Sequence, residues 1–121
     1  MTSVERRSPG ASMPVEWEPE PFRIEVLPDR RRVVVVPHGE VDIATVDQLA
    51  AEVDELVGRG FDTVVVDLRE TSFLDSSGLH LLLKQSARHD AQVTVIDGAL
   101  PVRRVIDLAG VRHLLRFEAT E

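Results

Sequence analysis

The stretch Thr63-Val64-Val65-Val66-Asp67-Leu68 constrains this chain more than any other, because an unbroken β-branched run suits a strand buried on both faces. A few residues later comes Phe73-Leu74-Asp75-Ser76-Ser77-Gly78-Leu79, after which Leu79, Leu82, Leu83 and Ala87 recur at helical spacing to about His89. A doubly buried strand leading into a helix is a unit of an α/β fold. The small polar cluster Asp75-Ser76-Ser77 then opens the helix. Unpaired backbone N–H groups and the positive end of the helix dipole favour an anion such as phosphate there. Asp and Ser are also preferred N-caps, so capping alone accounts for the same residues.

The rest of the chain agrees with that class. Phe22–Leu27 alternates apolar and polar residues, Pro28-Asp29-Arg30 reads as a turn, and Arg32–Pro37 as a second strand closing a hairpin. After Gly39-Glu40-Val41-Asp42, the residues Val46, Leu49, Ala50, Val53, Leu56 and Val57 form one helical stripe. Thr45-x-x-Gln48 predicts a capping box for it, and Gly58 or Gly60 its end. Gln92–Asp97 reads as another buried strand. Pro101 opens a helix with Val102, Val105, Ile106 and Ala109 inward and Gly110 closing it, and Leu114–Phe117 suits a last edge strand. The order ββαβαβα(β) predicts a single small domain over residues 22–118, with a mixed, mostly parallel sheet packed by helices. Residues 1–21 hold several prolines and read as a flexible leader, with Trp17 a candidate to dock on the domain.

Composition removes several functions. No apolar run approaches the roughly 20 residues that span a bilayer, and no signal peptide is visible, so no membrane partner is expected. The absence of cysteine excludes disulfides and Cys-based zinc sites and suits a cytoplasmic location. Net charge is −7, and residues 39–75 carry ten acids against two arginines, which argues against nucleic acid and favours a basic protein partner. His38, His80, His89 and His113 have no metal-ligand spacing and read as surface or strand-end residues. Ser76 lies in no G-x-S-x-G elbow, and no Gly-x-x-x-x-Gly-Lys loop would cradle a nucleotide, so neither catalysis nor a cofactor is expected. Asp67 closes its strand as the phosphorylated aspartate of a receiver domain does. A receiver also needs an acidic pair after its first strand and a lysine after its last, whereas Lys84, the single lysine, falls within a helix. Asp67 therefore reads as a strand-end hydrogen-bond acceptor.

The order of elements, with Gly39-Glu40-Val41-Asp42, Asp75-Ser76-Ser77-Gly78-Leu79 and Pro101–Gly110, resembles the STAS domain family over roughly residues 22–118, and within it the bacterial anti-sigma factor antagonists. The D-S-[ST]-G-L turn carries most of that resemblance. It implies that Ser76 is phosphorylated by a partner that is both anti-sigma factor and serine kinase. The unphosphorylated chain would bind that partner and free a sigma factor, and a PP2C-type phosphatase would reset it. Ser77 and Ser72 are rival acceptors off the matched position. Asp42, Asp75, Ser76, Ser77, Gly78 and His80 would form the partner-facing surface, with Asp42 and Asp75 as an acidic rim at one end of the sheet; loop solvation and capping explain Asp42 equally well. His80 departs from the small residue usual there, and the chain ends soon after Phe117, leaving little for the C-terminal helix common in the family. A STAS subunit of a stress-signalling, transporter or lipid-trafficking complex is the alternative.

Overall fold

The computed structural model describes residues 21–118, so the proposed leader, with Trp17, lies outside the described residues apart from Pro21. Strand β1 (Arg23–Asp29) pairs antiparallel with β2 (Arg32–Val41), from Arg23 opposite His38 to Asp29 opposite Arg32. The remaining strands run parallel to β2 or its neighbour: β3 (Thr63–Asp67), β4 (Thr71–Leu74) and β5 (Gln92–Ile96). Across the sheet the order is β1-β2-β3-β5, with β4 paired to β2 alone. Helices α1 (Val46–Gly58), α2 (Ser76–Ser86) and α3 (Leu100–Ala109) alternate with the strands.

The β-branched run does what it was expected to do. Val64, Val65 and Val66 are all buried in the central strand. Val33 and Val35 of β2, Val64 and Val66 of β3, and Val93 and Val95 of β5 join one apolar core with Leu49 and Val53 of α1, Leu82 of α2, and Val102 and Ile106 of α3. Each fully buried side chain of this kind contributes on the order of 1.5–3 kcal/mol.

Three expectations about the strands and His38 are corrected, and one strand is added. Strand β2 does not stop at Pro37 but continues to Val41, because Gly39 takes φ of +103° and the register shifts there. That shift lets one strand serve two ladders: residues 32–35 pair with β3, and 39–41 pair with β4. Strand β4 itself was not read from the sequence. It follows a 3-10 turn at Leu68–Glu70, where the Asp67 carboxylate accepts from the Arg69 backbone N–H (3.0 Å) and guanidinium (2.8 and 3.0 Å). Thr71 anchors its start by donating its hydroxyl to the Pro37 carbonyl at 3.0 Å. At the other end of the chain, the expected last strand is reduced to a 3-10 turn at Arg112–Leu114 and a single bridge between Phe117 and Val95. His38 is not at the surface but buried within β2, its Nε2 3.0 Å from Glu25 Oε1.

Asp67 is the strand-end acceptor it was expected to be. Burial opposes its ionisation, yet the hydrogen bonds from Arg69 outweigh burial and hold the carboxyl below the usual aspartate range. Among the described residues no helix is long and apolar enough to cross a membrane.

Candidate functional site

Beyond the end of β3, the short ladder between β2 and β4 delivers two chain segments side by side. Val41 pairs with Leu74, and the Asp75 backbone N–H donates to the Val41 carbonyl at 3.2 Å. The segment after β2 turns into α1, and the segment after β4 turns at once into α2. Both helix starts therefore meet at one corner of the sheet.

Asp75 organises that corner. As the N-cap of α2, its Oδ1 accepts from the backbone N–H groups of Ser77 (2.9 Å) and Gly78 (3.1 Å) and from the Ser77 hydroxyl (2.6 Å). Its Oδ2 accepts from the Ile43 N–H at 3.3 Å, tying the neighbouring loop to the helix. The Ser77 hydroxyl first, and then these backbone donors, hold the carboxyl below the usual aspartate range against partial desolvation. Asp75 is thus an ionised clamp.

Asp42 is half-buried and serves its own loop. Its Oδ1 accepts from the Ala44 N–H at 2.9 Å, and its carbonyl accepts from the N–H groups of Thr45 and Val46. The capping box expected at Thr45 and Gln48 does not form. Thr45 sits at the N-cap with its backbone in the helical region, and its hydroxyl turns back to accept from the Asp42 N–H (2.9 Å) and donate to the Glu40 carbonyl (2.8 Å). Asp42 and Asp75 share the corner, linked through Ile43 rather than to each other.

The two serines have different circumstances. Ser77 is half-buried and its hydroxyl is committed to Asp75. Ser76, the first residue of α2, is exposed, and among the described residues its hydroxyl has no hydrogen-bond partner. Ser72 is exposed too, but lies within β4 rather than in the first turn of a helix. Gly78 is buried beneath the turn. A Cβ there would meet Leu74 Cδ1 at 2.5 Å, Val41 Cγ1 at 2.9 Å and the Val41 carbonyl at 3.0 Å. Only glycine lets the helix start sit this close to the two strand ends. His80 is exposed and, with Ser77 and Lys84 of α2 and Asp47 and Asp54 of α1, lines an open groove of about 510 Å³ between the helices.

Two residues at this corner were not singled out from the sequence. Ile43, whose amide is bound to Asp75, leaves 76% of its surface exposed, and Phe73, paired with Glu40 in the β2–β4 ladder, leaves 46%. An isolated isoleucine in a loop gives no periodic signal, and Phe73 carries none until β4 is recognised. Only the fold reveals two exposed apolar side chains on the segments that converge at Asp75.

The chain as a whole is similar to known proteins. The sequence model of the STAS domain family matches residues 23–121. The anti-sigma F factor antagonist of Paenibacillus polymyxa is 31% identical over 98 residues, covering 78% of this chain and 84% of the relative. Among solved structures, an anti-sigma factor antagonist from Mycobacterium paratuberculosis is similar at a TM-score of 0.70 with 25% identity, covering 83% of this chain and 87% of that one. The Bacillus cell fate determinant SpoIIAA in its phosphorylated form is similar at a TM-score of 0.58 with 25% identity, covering 84% and 93%.

Proposed function

The chain belongs to the STAS domain family, and on that premise we propose that it is an anti-sigma factor antagonist switched by phosphorylation of Ser76. In this reading the unphosphorylated chain binds an anti-sigma factor that is also a serine kinase, which releases the sigma factor. The kinase transfers the γ-phosphoryl group of ATP to Ser76 Oγ, ADP leaves, and the serine proton passes to a base on the kinase. A PP2C-type phosphatase hydrolyses the ester and restores the binding form. The chain is a substrate and a binding partner, with no turnover of its own.

The observation that carries this reading is the contrast between adjacent hydroxyls. Ser76 is exposed at a helix start, whereas Ser77 is held by Asp75. A phosphate on Ser76 would gain roughly 0.3–1 kcal/mol from the helix N-terminus when exposed, so the helix tolerates it. The penalty falls on the complex, where a hydrated group of about −1.5 to −2 charge must be desolvated near the ionised Asp75. Exposed Ile43 and Phe73 supply apolar contacts for the partner beside that switch.

The test is reconstitution. The unphosphorylated chain is used to capture its kinase, and the purified pair is incubated with ATP and Mg²⁺. A single phosphate on Ser76, absent from Ser76→Ala, is expected. Phosphate on Ser77 instead would refute the assignment, and modification without the kinase would refute the substrate role.

A further inference from the structure

The corner around Ser76 is short of positive charge. Across residues 40–47 and 71–84, which build it, the carboxylates Glu40, Asp42, Asp47 and Asp75 stand against His80 and Lys84. Position separates those two. At about 1.5 Å of rise per residue, Lys84 lies about 12 Å along α2 from Ser76, and His80 about 6 Å, one turn on. Residues four apart share a helix face, and helical side chains lean toward the N-terminus, so His80 leans over the turn that begins at Ser76. His80 is exposed, and among the described residues it has neither a hydrogen bond nor an ion pair.

We infer that His80 is the counter-charge for a phosphate on Ser76, its imidazolium pairing with the phosphoryl oxygens one helical turn away. The inference rests on the reading of Ser76 as the modified residue. An unmodified hydroxyl gives the imidazolium no charge to meet, whereas a phosphate brings about −1.5 to −2 and three acceptor oxygens. Opposite charges four residues apart are a pairing that helices favour, here with the anion at the N-terminal end where the dipole also favours it. Other charges face His80. Across the groove α1 presents Asp47 and Asp54; along α2 and past its end lie Lys84, Arg88 and Asp90, and Asp75 caps the helix. Arg88 binds Asp54 at 2.8 Å and Asp90 at 2.7 Å, so that group is largely satisfied within itself. Lys84 lies a turn beyond His80, on the side away from Ser76. Asp47 is the rival across the groove, with about half the charge of a phosphate dianion. Imidazole and phosphoserine ordinarily titrate at about 6.5 and about 6, so the pair is strongest between those values and neutrality and fades as the imidazole loses its proton. A small residue at this position would leave the phosphorylated state without that pH dependence.

Phosphoserine encoded genetically at position 76 of the full chain supplies the modified protein without a kinase. Failure of a kinase to modify Ser76 is then a separate result from failure of the pairing. The probe is the phosphorus NMR resonance of that phosphate, followed across its second ionisation. A neighbouring cation favours the dianion, so the midpoint should lie about half a pH unit lower with His80 in place than with His80→Ala. The helix dipole and Asp75 act on both chains alike and cancel in the difference. His80→Lys, which keeps a cation, should restore the low midpoint, a rescue that a purely structural role for His80 would not give. Should alanine disturb the helix in circular dichroism, His80→Gln gives the uncharged comparison. Equal midpoints with histidine and its uncharged replacement would overturn the inference, as would a rise produced by Lys84→Ala and not by His80→Ala.

Discussion

Replacing Gly78 with alanine sets two well-characterised effects against each other. Helix propensity favours Gly78→Ala by up to about 1 kcal/mol in a helix interior, and by less in the first turn. Packing opposes it. The added Cβ would lie 2.5 Å from Leu74 Cδ1 and 2.9 Å from Val41 Cγ1, whereas carbon–carbon contacts settle near 3.5–4.0 Å, so the overlap is about 1 Å. Neither neighbour has room to yield, since Leu74 and Val41 are each 1% exposed. The third contact, the Val41 carbonyl at 3.0 Å, is backbone and is held by the Asp75 N–H. The start of α2 must lift, stretching the bonds from Ser77 and Gly78 to Asp75. Overpacking of this kind costs about 1–3 kcal/mol, so the net loss should be about 1–2 kcal/mol. For a domain of this size that lowers Tm by about 4–16 °C. Guanidinium unfolding followed by circular dichroism should give an earlier midpoint with an unchanged slope. A variant with equal or higher stability would refute the packing argument and leave propensity in command.

Further expectations follow from the same corner. Asp75→Ala removes a cap and the tie to Ile43 and should cost about 1–2 kcal/mol at neutral pH. Because the folded Asp75 carboxyl lies below its ordinary range, its contribution is present at neutral pH and is lost as pH falls through that lowered value; urea titrations across acid pH should therefore show the deficit narrowing. Ser76 phosphorylation should leave circular dichroism and Tm nearly unchanged while partner binding weakens roughly a hundredfold, about 3 kcal/mol; lost amide-exchange protection in α2 would mean a conformational release instead. Ile43→Asp, at a side chain already in water, should hardly move Tm yet weaken kinase capture about tenfold, and unchanged affinity in a titration would remove Ile43 from the contact surface.

The parts of the fold that sequence reveals best are those where one physical pattern dominates locally. The run Val64–Asp67, the stripe from Val46 to Val57, and the pairing of Pro101 with Gly110 each state their element without outside help. Strand β4 does not, because four residues are too few for a period and their partner, Gly39–Val41, lies beyond a proline that reads as a strand end. Thr45 and Gln48 match a capping box by spacing, but the Asp42 N–H and Glu40 carbonyl compete for the threonine hydroxyl and win. At the site, the helix start and the preference for Ser76 over Ser77 came from the motif. The reason for that preference, a hydroxyl locked on Asp75, is three-dimensional.

The bulge at Gly39 has an evolutionary reading. Because β2 hands over from β3 to β4 at that residue, the corner that carries Ser76 stands on a three-rung ladder outboard of the main sheet. Glu40, Ile43 and Phe73 can change without disturbing Val33, Val35, Val64 or Val66, which pair on the other side of the handover. Substitutions at those outboard positions can therefore alter the surface around the corner at little thermodynamic risk. The valine ladder, by contrast, has no such freedom, since Val33, Val35, Val64 and Val66 are each buried in the core.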